Sequence, residues 1–274
     1  MKTPPIFKAV NGLGLILLFI IFAMPFIWMA STAFKTLGET LTFPPVWIPE
    51  TFQWGNFAQA WSSGPFLKYF FNSVIVTLFI LILQFATIIP AAYAFARYNF
   101  PMKNFFFALT MICLMIPSQL IFLPVYLNLS SWGILDTIWG LILPFATSAF
   151  GIFLLRQSFM QVPEELLEAA RLDDATEWQI IRKIMLPLAK PVLVTLALFS
   201  FIAHWNDYFW PLVMTTNDTA RTLPLGIAML RQVEGGASWN IVMAGNLLLV
   251  LPILIVFFFA QRHIIRAFVY TGVK

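Results

Sequence analysis

The chain has 274 residues, 60% of them hydrophobic and 10% charged, with a net charge of +4 and a mean hydropathy of +0.85. A soluble domain is about half apolar and about a quarter charged, and a soluble fold has too little interior to hide 30 Phe and 10 Trp. A soluble enzyme, a nucleic-acid-binding module and a disordered protein are excluded, and the one cysteine, Cys113, excludes a disulfide framework or a cysteine-based zinc site.

Crossing a hydrocarbon core of about 30 Å takes about 20 apolar residues. Six stretches are free of Asp, Glu, Lys and Arg: 9–34, 69–96, 104–135, 137–155, 191–206 and 235–261. They predict an all-α integral membrane protein with six transmembrane helices, near 9–32, 69–95, 105–127, 137–155, 187–208 and 239–260. Lys2 and Lys8 ahead of the first stretch imitate a secretory signal. That stretch is longer than a signal's apolar region of about 7–15 residues and no small-x-small site follows, so it reads as a retained helix. In the third stretch the chain is expected to leave the membrane at residues 128–133. The fifth is short, but Lys190 can snorkel and apolar residues precede it, so a helix is expected over about 186–208.

Six spans put both termini on one side and divide the connecting segments into two sets. One set holds 12 of the 16 Lys and Arg, the other the remaining 4, Lys35, Lys68, Arg221 and Arg231. Basic residues accumulate on the cytoplasmic side, so both termini are expected in the cytoplasm. Ion-coupled carriers usually bury a charge at membrane depth; the six charge-free stretches carry none, and His204 and Asp207 lie near the outer end of the fifth span, where the interface explains them, which disfavours a secondary carrier. None of the 13 glycines is followed by lysine, so the chain has no P-loop. Any ATP-driven work must then be done by a second polypeptide.

Residues 156–190 hold 11 of the 28 charged residues, far more than a connector needs. Pro163 suits the first position of a helix, followed by Glu164 and Glu165 at its positive end. Leu166, Leu167, Ala169 and Ala170 form its apolar side, and Asp173-Asp174 breaks it. Asp174 is the expected N-cap of a second helix, with Glu177 completing a capping box. Ile180, Ile181 and Ile184 line that helix, and Pro187 is expected to end it or kink it into the fifth span. The pattern alone fits either a plug for a partner's groove or an amphipathic linker on the lipid surface.

At these residues the chain resembles a known family. Glu168-Ala169-Ala170, a turn at Asp174, then Ile184 and Leu186-Pro187 resemble the EAA loop of the membrane subunits of binding-protein-dependent ABC importers. The family usually has Gly at the turn; Asp tolerates the left-handed conformation better than most residues. Ala94-Phe95-Ala96-Arg97 with Phe100-Pro101, Trp205-Asn206-Asp207 continuing to Leu212, Thr222-Leu223-Pro224-Leu225-Gly226, and the tail from Gln261 to Lys274 resemble the maltose and glycerol-phosphate branch. Ala267 stands where that branch has Gly.

The resemblance implies an ABC importer type I permease fold, a single transmembrane permease domain over 1–274, and no catalysis in this chain. It implies a coupling loop over 156–186, with Glu168, Ala169 and Ala170 docking on an ATPase, Asp174 at the turn, and Ile184, Leu186 and Pro187 at the return to the membrane. It implies a homologous second permease subunit, two ATPase subunits that carry ATP and magnesium, an extracytoplasmic solute-binding protein, and residence in the plasma (inner) membrane. Within this chain it implies no cofactor, no metal and no nucleic-acid partner. The outer segment 211–238 is expected to be a flexible loop reaching the binding protein, with Thr215 to Thr219 and Gly235-Gly236 as its mobile stretches. Sugars are held by aromatic faces, amides and hydroxyls, so Gln119, Ser118, His204, Trp205 and Asn206 are candidates for the substrate path; each has an alternative in helix packing or the interfacial aromatic belt. An ion-coupled carrier, or an importer for a non-carbohydrate solute, are the competing expectations.

Overall fold

A computed structural model describes residues 5–232 and 238–269. The helices in chain order are α1 (Pro5–Ala33), α2 (Leu37–Leu41), α3 (Gly55–Ser62), α4 (Phe66–Arg97), α5 (Lys103–Cys113), α6 (Ser118–Ser131) and α7 (Ile138–Ile142). They continue as α8 (Ala149–Met160), α9 (Glu164–Leu172), α10 (Glu177–Ile180), α11 (Leu186–Leu188), α12 (Lys190–Trp205), α13 (Phe209–Met214), α14 (Leu223–Met229) and α15 (Trp239–Val269). No strand occurs among the described residues.

Three helices are long and apolar enough to cross a membrane singly: Asn11–Ala33, Phe66–Arg97 and Trp239–Gln261. Three more candidate spans are bent pairs. Lys103–Cys113 meets Ser118–Ser131 at 99°, Ile138–Phe145 meets Ala149–Met160 at 43°, and Glu177–Leu188 meets Lys190–Trp205 at 80°. By length and composition the number of spans is therefore three, or up to six with the pairs counted.

The breaks lie where composition does not point. The helix ends within the expected exit, residues 128–133: α6 runs to Ser131 and Gly133 turns the chain at φ +68°, yet the stretch ahead of it is not one continuous helix. It breaks between Cys113 and Ser118, because Pro117 gives no N–H and drives the residue before it out of the helical region. The end or kink expected at Pro187 comes two residues later, after Leu188. Ile181–Met185 widens into a π turn, in which Leu186 N–H reaches the Ile181 carbonyl, and Pro187 is carried within α11. A widened turn tolerates the ring that a regular turn would crowd against the preceding carbonyl. The bend falls at Ala189, just ahead of Pro191 in the first turn of α12. The helix expected over 186–208 is thus only α12.

Irregular backbone at membrane depth needs internal partners for its freed carbonyls. Between α7 and α8 these come from α4: Gln84 donates to the Phe145 carbonyl and Thr87 to the Ala146 carbonyl, each at 3.0 Å. Ser148 then caps α8 through Gly151 N–H. Gly151 also lets α8 approach α4, since a Cβ there would stand 2.4 Å from Ile88 Cδ1.

The described chain divides into two compact units. One comprises the residues up to Leu67 with Leu225–Pro252. Within it, Asn56 donates to the carbonyls of Ala33 and Lys35 and accepts from Asn240, which ties the end of α1 to the start of α15. The apolar stretch of α1 buries none of its residues in this chain. The other unit, Lys68–Pro224 with the residues from Ile253, holds the larger core, built on Ile88, Ala92, Leu155, Phe159, Ile180 and Met185.

The segment that follows α13 corrects a further expectation. Residues 215–219 are clasped rather than loose. Asp136, itself left-handed at φ +58°, accepts from Thr216 N–H and Oγ1 and from Asn217 N–H. Tyr69 donates to Asp218 at 2.6 Å, and Asn72 donates to the carbonyls of Thr219 and Arg221. These local partners were missed because each lies far away in sequence. Gly235-Gly236 and the end of the tail, residues 270–274, lie outside the described residues.

Candidate functional site

The polar segment after α8 forms the two expected short helices, with shifted caps. Pro163 is the N-cap of α9, and Glu164 and Glu165 fill its first turn. Asp174 is not the cap of α10. It takes φ +56°, the left-handed turn position, whereas an N-cap needs extended backbone. Thr176 supplies that backbone, and its capping box closes with Gln179 rather than Glu177. Glu177 is thereby freed to bond elsewhere.

One face of the pair is buried. Leu167 and Ile180 are wholly covered, and Ala170, Ile184 and Leu186 pack partly against the same core. Glu168 and Ala169 face outward, and Pro187 is exposed. Three apolar side chains that the sequence reading left out of the site share this exposure: Leu166 at 47%, Leu172 at 86% and Trp178 at 61%. The available signal was the spread of apolar positions 166, 167, 169, 170 and 172, too wide for one buried stripe on a helix. The result is a two-helix element with a fixed inner face and an outer face of small, acidic and apolar groups.

The five substrate-path candidates do not converge. His204 lines a cavity of about 220 Å³ with Gln84, Ser148, Phe150, Phe199 and Ser200. Gln84 stands 3.4 Å from the His204 ring and accepts from Ser200 at 2.7 Å. Trp205 is core, stacked on Phe201 and edge-on to Phe70. Asn206 is exposed and donates to the Ile202 carbonyl at the end of α12. Gln119 is exposed at the start of α6, with Ser118 as its neighbour, and does not line this cavity. Gln84 and Ser200 were missed because nothing in the sequence shows that two polar positions so far apart along the chain meet beside His204.

Residues 88–270, two thirds of the chain, match the family described as binding-protein-dependent transport system inner membrane component. The chain belongs to this family. The permease is 33% identical to the arabinooligosaccharides transport system permease protein of Halalkalibacterium halodurans, over all of this chain and 99% of that one. It is 35% identical to the sn-glycerol-3-phosphate transport system permease protein of Pectobacterium atrosepticum, over 84% of this chain and 85% of that one. It is 32% identical to the diacetylchitobiose uptake system permease protein of Streptomyces coelicolor, over 94% and 86%. Its fold is that of a chain in the crystal structure of a bacterial ABC transporter that imports the acidic polysaccharide alginate, with a TM-score of 0.82 at 24% identity over 96% of this chain and 98% of that one. A chain of the MetNI methionine ABC transporter shares the fold at a TM-score of 0.54 and 20% identity, over 74% of this chain and 95% of that one. The permease is thus a multi-pass inner-membrane transport component of the carbohydrate branch, and its family is one of transporters, not enzymes.

Proposed function

We propose that this permease is the membrane subunit of an ATP-driven importer for a sugar or a related polyol or glycerophosphate. In this reading α9 docks in a cleft of a cytoplasmic ATPase through Glu168, Ala169, Leu166 and Leu172. Asp174 holds the turn between the loop helices, while Ala170, Ile184, Leu186 and Pro187 seat the element and return it to the membrane. The carrying observation is the outer face of the two-helix loop, which exposes small and apolar side chains on a charge-rich element whose inner face is already buried. Such a face is made for close approach by another surface.

The complete machine has a homologous second permease subunit, two ATPase subunits holding ATP and magnesium, and an external solute-binding protein, with both termini of this chain in the cytoplasm. Closure of the ATPases moves the loop as a rigid body and tilts the spans between outward and inward access. His204, with Gln84 and Ser200, is the part of this chain best suited to meet a hydroxylated solute, because amide, imidazole and hydroxyl groups converge there beside aromatic faces. Sugar-type cargo is supported by what the relatives are named for, arabinooligosaccharides, glycerol 3-phosphate and diacetylchitobiose.

The test is Glu168→Arg. Membrane insertion is expected to be normal, while the ATPase no longer co-purifies or its hydrolysis no longer responds to loaded binding protein. Unchanged coupling in that variant would overturn the docking role. Uptake by this polypeptide alone in liposomes, driven by an ion gradient and indifferent to ATP, would replace the reading with an ion-coupled carrier.

A further inference from the structure

Five side chains outside the exposed docking face close into a ring. Tyr93 and Arg97 stand one helical turn apart on one side of α4. Arg97 Nη1 donates to Glu164 Oε2 at 2.7 Å, and Arg171 Nη1 reaches the other oxygen of the same carboxylate at 3.2 Å. Arg171 Nε then donates to Glu177 Oε1 at 3.2 Å, and the hydroxyl of Tyr93 donates to Glu177 Oε2. Each carboxylate is shared between two donors, and the path that leaves α4 at Arg97 returns to it at Tyr93. It takes in both ends of α9 and the first residue of α10. Arg97 also donates to the carbonyls of Phe159 and Val162, which closes the C-terminal end of α8.

We propose that Tyr93, Arg97, Glu164, Arg171 and Glu177 are positioning residues that join the two-helix loop and the C-terminal end of α4 into one rigid body. Displacement of the loop is then carried into the membrane along α4. This rests on the reading that the loop docks on an ATPase. Stability is not the ring's main contribution. The side chains of Glu164, Arg171 and Glu177 keep 49%, 38% and 40% of their exposure, and ion pairs this open contribute little to folding. The buried face with Leu167 and Ile180 already holds the loop down. An apolar face, however, allows sliding and rotation, whereas shared, directional hydrogen bonds at three separated points fix register. Glu168 and Ala169 take no part in the ring, so its effect on coupling is separable from docking.

The test uses the full assembly with its binding protein in nanodiscs. A bimane label sits on Ile75→Cys in the half of α4 remote from the ring, in a Cys113→Ser background. The readout is the change in label emission on adding MgATP and vanadate. Tyr93→Phe and Arg171→Gln are each expected to cut that change by about threefold or more while the ATPase still co-purifies. The double variant is expected to do no further damage, because a ring opened once is already open. If Arg171→Gln does not assemble, Glu177→Gln is measured in its place. A full response in both single variants, or losses that multiply in the double, would overturn the ring. An unsubstituted assembly whose label ignores MgATP and vanadate would instead defeat the docking reading itself.

Discussion

Gln84 donates to the Phe145 carbonyl at 3.0 Å, across 61 residues, at the point where the helical backbone between α7 and α8 gives out. Its side-chain oxygen meanwhile accepts from Ser200 of α12. One buried amide therefore serves three elements, and it does so beside His204 in the cavity. Gln84→Leu keeps the volume and removes both bonds. Leaving a buried carbonyl and hydroxyl unpaired costs about 1–3 kcal/mol. The variant is expected to unfold several degrees earlier in detergent, and unchanged thermal stability would show that the break is held by other means.

Asp174 occupies the left-handed region at φ +56°. A β-branched residue there costs roughly 1–2 kcal/mol, whereas Gly costs nothing sterically. Asp174→Val is expected to weaken both thermal stability and co-purification with the ATPase, and Asp174→Gly to leave both at or slightly above the starting level. Equal behaviour of the two variants would mean that the turn does not constrain the loop.

Leu172 and Trp178 are exposed, so replacing them removes no core contact. Leu172→Asp and Trp178→Asp are each expected to leave the folding stability within about 0.5 kcal/mol of its starting value, with the melting temperature hardly moved. Co-purification with the ATPase is expected to fall at least tenfold for Leu172→Asp, the order of loss seen when an interface anchor is removed. Retention of the partner at full yield would take Leu172 out of the docking face.

The clasp at Asp136 carries a pH signature. The Asp136 carboxyl is held below its ordinary value of 3.8, first by the Thr216 backbone N–H, and Asp218 is lowered chiefly by the Tyr69 hydroxyl. A depressed carboxyl contributes stability that is fully present above its unfolded value and is lost as pH falls through the lower folded value. Hydrogen-exchange protection of the Thr216 and Asn217 amides is therefore expected to be level from neutral pH down to about 4 and to drop below it. Asp136→Asn is expected to lower the plateau and flatten the drop. Protection that is insensitive to Asp136→Asn would disconnect the clasp from that carboxylate.

Composition and spacing by themselves determined that this chain lives in lipid, that it is all helix, and that its charge is gathered into one element carrying Glu168-Ala169-Ala170. These follow from solvent transfer and hydrogen-bond demand, which act residue by residue and need no partner. What only the tertiary structure decided is where helices bend and which polar groups meet. A charge-free stretch reads as continuous whether or not it breaks, as 137–155 does between α7 and α8, because the freed carbonyls there find their donors on another helix. Local pattern read Asp174 as a cap, whereas it makes the left-handed turn that the resemblance placed there, and residues 215–219 read as loose and proved to be held by Asp136. In each case the deciding contact joined side chains that no local pattern relates, since periodicity reports which face is buried and not what lies against it.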